Sequence, residues 1–159
     1  MFSTDDTIVA IATPPGRGGI GVVRVSGPRA VEVGKALTRR DGFEPRHATL
    51  TSVTAADGSP IDRVIVTQFP QPHSYTGEDV VEISAHGSPV VLEAIVRAAM
   101  AAGARLANPG EFTFRAYLRE EPKVCTPVAC PGQTEFAFGV SFDAEVSARL
   151  FGITFVSIG

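Results

Sequence analysis

A helix that is apolar on most of its sides needs a flat surface to cover it, and residues 89–102 set that requirement for this chain. Val90, Val91, Leu92, Ile95, Val96 and Met100 leave the predicted helix little polar surface, so it must lie against a sheet. Just before it, Ser74, Tyr75, Thr76 and Gly77 read as a turn, and residues 79–86 read as a strand. Upstream, a strand over 7–13 is stopped by Pro14-Pro15-Gly16, and a second over 20–26 places Arg24 among Val22, Val23 and Val25. Pro28 suits the first turn of a helix reaching about residue 40. Strands near 48–53 and over 61–69 flank the turn signal Asp57-Gly58. A short strand at 105–107 and a helix opened by Pro109-Gly110-Glu111 follow. The fold class is therefore α/β (α+β), a mixed β-sheet packed with helices.

Composition narrows the function. With 159 residues and 44% hydrophobic content the chain can form one ordinary domain with at most a short appendage. A net charge of −3 gives no basic field for free-standing nucleic-acid binding. No run reaches the length of a membrane span and the first residues lack a signal-peptide pattern. Two cysteines fit a reduced, cytoplasmic protein. A seam is visible near residues 119–123. Residues 1–119 hold 12 basic and 12 acidic side chains, whereas the last 40 hold 2 and 5, with both cysteines and five of the ten phenylalanines. So abrupt a shift divides a domain over 1–118 from an atypical tail over 119–159.

Several motifs can be weighed by their chemistry. Gly16-Arg17-Gly18-Gly19-Ile20-Gly21 matches the dinucleotide pattern of three spaced glycines, but that pattern needs a helix after it. Val22-Val23-Arg24-Val25 favours a strand instead, so a tightly turned connection is the better reading. No phosphate-binding loop of the GxxxxGK[ST] type occurs, and no site for GTP, magnesium or potassium is expected. Cys125 and Cys130 lack partners for a metal site among the scattered histidines. On the strand over 79–86, Val81, Ile83 and Ala85 take one face while Val80, Glu82, Ser84 and His86 take the other. That second face reads either as the solvated side of an edge strand or as a pocket floor. In the second reading Glu82 accepts two parallel N–H bonds, as a guanidine-like pterin edge would offer. Arg24 then either complements it or takes a ligand carboxylate, its alternative being a snorkelling or paired arginine.

These same residues carry a resemblance. Residues 7–21 (TIVAIATPPGRGGIG) with Val25-Ser26-Gly27, then residues 74–87 (SYTGEDVVEISAHG), then Pro109-Gly110-Glu111-Phe112-Thr113 with Arg115-Ala116, resemble in order the N-terminal domain of the tRNA-modification GTPase family MnmE, also called TrmE. The resemblance covers about residues 5–118. It implies a fold like the tetrahydrofolate-binding domain of aminomethyltransferases, constitutive homodimerisation, and binding of a 5-formyltetrahydrofolate-type carrier. The folate positions fall on Arg24 and Glu82. Pro15, Gly16, Arg17, Gly18, Gly19, Tyr75, Thr76, Gly77, Glu78 and His86 are expected to shape the pocket or a dimer contact. No catalytic residue and no metal ligand is expected. Family members work with an MnmG/GidA-type flavoprotein on the wobble uridine of certain tRNAs, using helical and GTPase domains that this sequence lacks.

After Leu118 the sequence departs from the family. A basic folate contact is expected near position 121, where this chain has Glu121. Residues 119–159 are expected to be disordered or out of frame. Two alternatives stay open: a dimerisation scaffold with an impaired folate site, and a stand-alone aminomethyltransferase-like enzyme. The latter offers no evident general base beyond Glu82, His86 or Asp79.

Overall fold

The apolar helix does find its sheet. The computed structural model describes residues 5–119, and the expectations for the tail and for Glu121 lie outside them. In chain order the elements are β1 (Ile8–Ile11), β2 (Ile20–Ser26), α1 (Ala30–Thr38), β3 (Thr49–Thr54), β4 (Pro60–Phe69), β5 (Val80–His86), α2 (Pro89–Ala101), β6 (Arg105–Leu106) and α3 (Glu111–Arg119). Among the described residues the sheet has six strands in the order β3-β4-β5-β2-β1-β6. Neighbours run antiparallel except β1 and β6, which are parallel, so the sheet is mixed as the sequence implies.

The period of two along the strands separates the faces. Val81 pairs with Val25 and Ile83 with Val23, and all four are fully buried. They pack with Val33 and Leu37 of α1 and with Leu92 and Ile95 of α2. Leu92, Ile95, Val96 and Ala99 form the inward stripe of α2, while Val90 and Met100 stay exposed at 72% and 44%. The helix is thus one-sided despite its composition. Gly21 lets it close in, since a Cβ there would lie 2.5 Å from Leu92 Cδ1.

The opposite face is covered at one end only. There, beside loop 74–79 and α3, Ile8, Ser26 and Val80 are buried. Further along, Leu50, Ile65, Ser84 and Val22 form one row across four strands, with Leu50 and Ile65 exposed at 59% and 45%. At the far end, loop 14–19 folds back on the end of β5. Gly18 N–H donates to Gly87 O at 3.1 Å and Gly87 N–H to Gly19 O at 3.4 Å. A strand comes directly after this glycine-rich loop, so the dinucleotide geometry is absent among the described residues. No described helix is long and apolar enough to cross a membrane.

Gly87 carries a test of this packing. A Cβ there would lie 2.3 Å from Gly18 O, a backbone atom that cannot swing aside. Gly87→Ala should lower unfolding free energy by about 1–3 kcal/mol in urea titrations, and an unchanged midpoint would show that the loop does not pack as described.

Candidate ligand-binding site

Arg24 and Glu82 face each other across the β2–β5 ladder, on the side away from α1 and α2. Arg24 Nε donates to Glu82 Oε1 at 2.8 Å and Nη2 lies 2.7 Å from the same oxygen. Oε2 of Glu82 takes no bond among the described residues. Both side chains are half-buried, at 22% and 26% exposure, so the pair is reachable yet partly desolvated. On the next strand Thr67 stands beside Glu82 and extends the polar row.

Aromatic rings wall this row. The Tyr75 centroid lies 4.6 Å from the Arg24 guanidinium carbon and that of Phe112 lies 5.9 Å away, both within cation–π range. Tyr75 comes from the loop before β5 and Phe112 from α3. They are linked by a 3.2 Å hydrogen bond between Tyr75 Oη and Thr113 Oγ1. The arrangement is a carboxylate with one open oxygen, held by an arginine whose guanidinium is itself flanked by two aromatic rings. Chemically it suits a planar, aromatic ligand with a polar N–H edge.

Beneath the wall is a cluster of buried charge. Arg115 is 1% exposed, Glu111 0% and Glu78 3%. Arg115 Nη1 donates to the Asp6 backbone carbonyl at 2.7 Å and to Glu78 Oε2 at 3.2 Å; Nη2 reaches Glu111 Oε1 at 3.2 Å and also pairs with Asp6 Oδ1. Arg105 backs Glu111 with two further bonds and donates to Asp6 Oδ2 at 2.6 Å. Burial alone would push the Asp6 and Glu111 carboxyls up, but hydrogen bonds from Arg105 and Arg115, with the Asn108 N–H on Glu111, outweigh it and hold both below their usual range.

The sequence-predicted residues therefore fall into three places. Arg24, Glu82 and Tyr75 meet at one site. Thr76 and Glu78 lie beneath the loop, buried, with Thr76 Oγ1 2.6 Å from Ser26 Oγ, and Gly77 (φ +70°) makes the turn between them. His86 and the loop residues Pro15, Gly16, Arg17, Gly18 and Gly19 are at the other end of the face. His86 is four residues along the strand from Glu82, about 13 Å at strand rise. There the His86 ring bonds Asp62 at 2.8 Å, and Asp62 also accepts the His86 and Arg63 backbone N–H groups. An ionised Asp62 can only accept, so Nδ1 carries the ring proton. Phe112 and Thr113 stood in the α3 signature without a role, and Asp62 carried no signal, because its partner lies on another strand. No described group of three or more His, Cys, Asp or Glu side chains is placed to hold a metal.

Comparison with known proteins adds a second line. A family model described as "GTP-binding protein TrmE N-terminus" matches residues 7–121. The tRNA modification GTPase MnmE of Legionella pneumophila (strain Paris) is 53% identical over 116 residues, covering 73% of this chain and 26% of the relative. Its namesake from Aromatoleum aromaticum is 54% identical over 116 residues with the same coverages. That from Koribacter versatilis is 53% identical over 122 residues, covering 74% and 27%. The chain spans about a quarter of the length of the curated relatives it matches.

The charge cluster makes an acid-stability prediction. Depressed carboxyls contribute stability that is fully present above their unfolded pKa and is lost as pH falls through the folded values, that is, below about pH 4. Glu111→Gln should lower Tm at neutral pH and flatten the loss between about pH 4 and pH 2. An acid limb identical to the parent's would remove Glu111 from the explanation.

Proposed function

Since the chain belongs to the family of GTP-binding protein TrmE N-termini, we propose that residues 5–119 are a one-carbon folate-binding module that self-associates. The observation that carries the proposal is the half-buried Glu82 carboxylate, with Oε1 taken by Arg24, whose guanidinium lies against the Tyr75 and Phe112 rings, and Oε2 without a bond among the described residues. A reduced pterin such as that of 5-formyltetrahydrofolate has a guanidine-like edge to match Glu82 and a ring face to match Tyr75 and Phe112. Arg24 holds Glu82 in position and keeps a positive charge beside it. Nothing in this role requires the chain to break or form a covalent bond.

Self-association has its own support on the uncovered sheet face. Leu50 and Ile65 are cross-strand neighbours exposed at 59% and 45%, and beyond Ser84 on the same face stand Val22 and Ile20 of β2, Ile20 exposed at 70%. Adjacent apolar side chains on neighbouring strands are a surface to be covered, and a two-fold pairing covers the same patch on both copies. In the wider protein the module would serve wobble-uridine modification of tRNA in the cytoplasm, beside an MnmG/GidA-type flavoprotein. A dimer that ignored folate would favour the scaffold reading instead.

Calorimetric titration with 5-formyltetrahydrofolate should show saturable binding. Glu82→Gln should weaken it by about 1.5–3 kcal/mol, the range for a charge-assisted hydrogen bond. Absence of heat at millimolar ligand, with a folded sample, sinks the folate assignment. Separately, sedimentation should report a dimer that Ile65→Glu converts to monomer; a persistent dimer moves the interface elsewhere.

A further inference from the structure

The floor and the wall of the site are held by different means. Arg24 and Glu82 sit on two paired strands, whereas Tyr75 sits on loop 74–79, outside the ladder. What holds that loop lies underneath it. Ser74 Oγ donates to the Glu78 carbonyl at 2.5 Å, and the Glu78 side chain turns inward rather than toward the site. There its carboxylate accepts from Ser26 Oγ at 2.8 Å, from Arg115 Nη1 at 3.2 Å and from Arg119 Nη2 at 3.3 Å. A buried carboxylate without such donors would be strongly disfavoured, so the loop is stable in this place only while α3 supplies its arginines.

The dependence runs both ways. The buried residues of α3 are Glu111 and Arg115, so charge rather than an apolar stripe seats this helix. The same helix carries Phe112, beside Arg24, and Thr113, bonded to Tyr75. The loop and α3 therefore meet twice, once in the wall of the site and once below it.

We infer that Glu78 and Arg115 are positioning residues of the candidate folate site and act through Tyr75. Their buried ion pair fixes loop 74–79 against α3 and so sets the Tyr75 ring over the Arg24 guanidinium. The affinity part rests on the folate reading, whereas the geometric part does not.

The test uses the full chain with Glu78→Gln, which keeps the side-chain shape, and Glu78→Leu/Arg115→Met, which removes both charges together. In ligand-free protein, solvent exchange of the Arg24 Nε–H, followed by NMR, should speed up in both variants and stay unchanged in Glu93→Gln. The Kd for 5-formyltetrahydrofolate should rise about tenfold, and the rise should vanish in a Tyr75→Ala background, because the pair acts through that ring. A role in stability alone would lower the unfolding midpoint and leave Arg24 exchange and Kd where they were. Should the double variant not fold, Glu78→Gln decides. Should the parent chain not bind folate, the function proposal fails while Arg24 exchange still judges this one. Unchanged exchange in folded variants, or losses additive with Tyr75→Ala, overturns it.

Discussion

The buried Arg115 guanidinium is the interaction on which the covered end of the polar sheet face depends. It joins the N-terminal segment through Asp6, the loop before β5 through Glu78, and its own helix through Glu111. Arg105 of β6 pairs with two of these acids, Asp6 and Glu111. Removing Arg115 leaves the buried Glu78 and Glu111 carboxylates with fewer donors, at a cost of about 3–5 kcal/mol. An apolar replacement of the whole group could match its stability. What it would not reproduce is direction: a guanidinium donates along fixed lines, and those lines set where loop 74–79 and α3 stand.

The two faces of the sheet consequently obey different physics. On the helix side, valines, isoleucines and leucines of β2, β4, β5, α1 and α2 exclude water without needing particular hydrogen-bond partners. On the other side the covered end is polar and paired almost throughout, from Ser26 and Thr76 to Arg24 and Glu82. The first arrangement tolerates rearrangement of similar volumes; the second does not, because its hydrogen bonds and ion pairs fix direction as well as volume.

This contrast also explains what could be read in the sequence. The alternation of Val81, Ile83 and Ala85 with Glu82 and Ser84 fixes both faces of β5, and the valines around Arg24 do the same for β2. Period puts Arg24 and Glu82 on the same face once the two strands pair, and the register of the ladder makes them neighbours, so their shared face was legible in the sequence and their pairing was not. The wall was not. Tyr75 and Phe112 are 37 positions apart, and a loop residue's direction depends on anchors that no local pattern records. Glu78 shows the limit: the pattern placed it with the pocket, and the structure turns it inward toward Arg115. His86 shares a strand face with Glu82, yet strand rise carries it away to Asp62.

The motifs that gave the resemblance gain a physical reason from that geometry. Tyr75, Thr76, Gly77 and Glu78 of one signature, and Glu111, Phe112, Thr113 and Arg115 of another, are not independent strings. They form one joint, with Tyr75–Thr113 and Arg24–Phe112 contacts above and the Glu78–Arg115 pair below. Gly77 belongs to it as well: at φ +70° a Cβ would lie 2.9 Å from Arg119 Cβ, so the loop comes close to α3 only without a side chain there. A joint closed at two levels transmits displacement, since α3 cannot shift without moving Glu78 or tilting Tyr75. The position of the Tyr75 ring beside Arg24 is therefore mechanically tied to the position of α3.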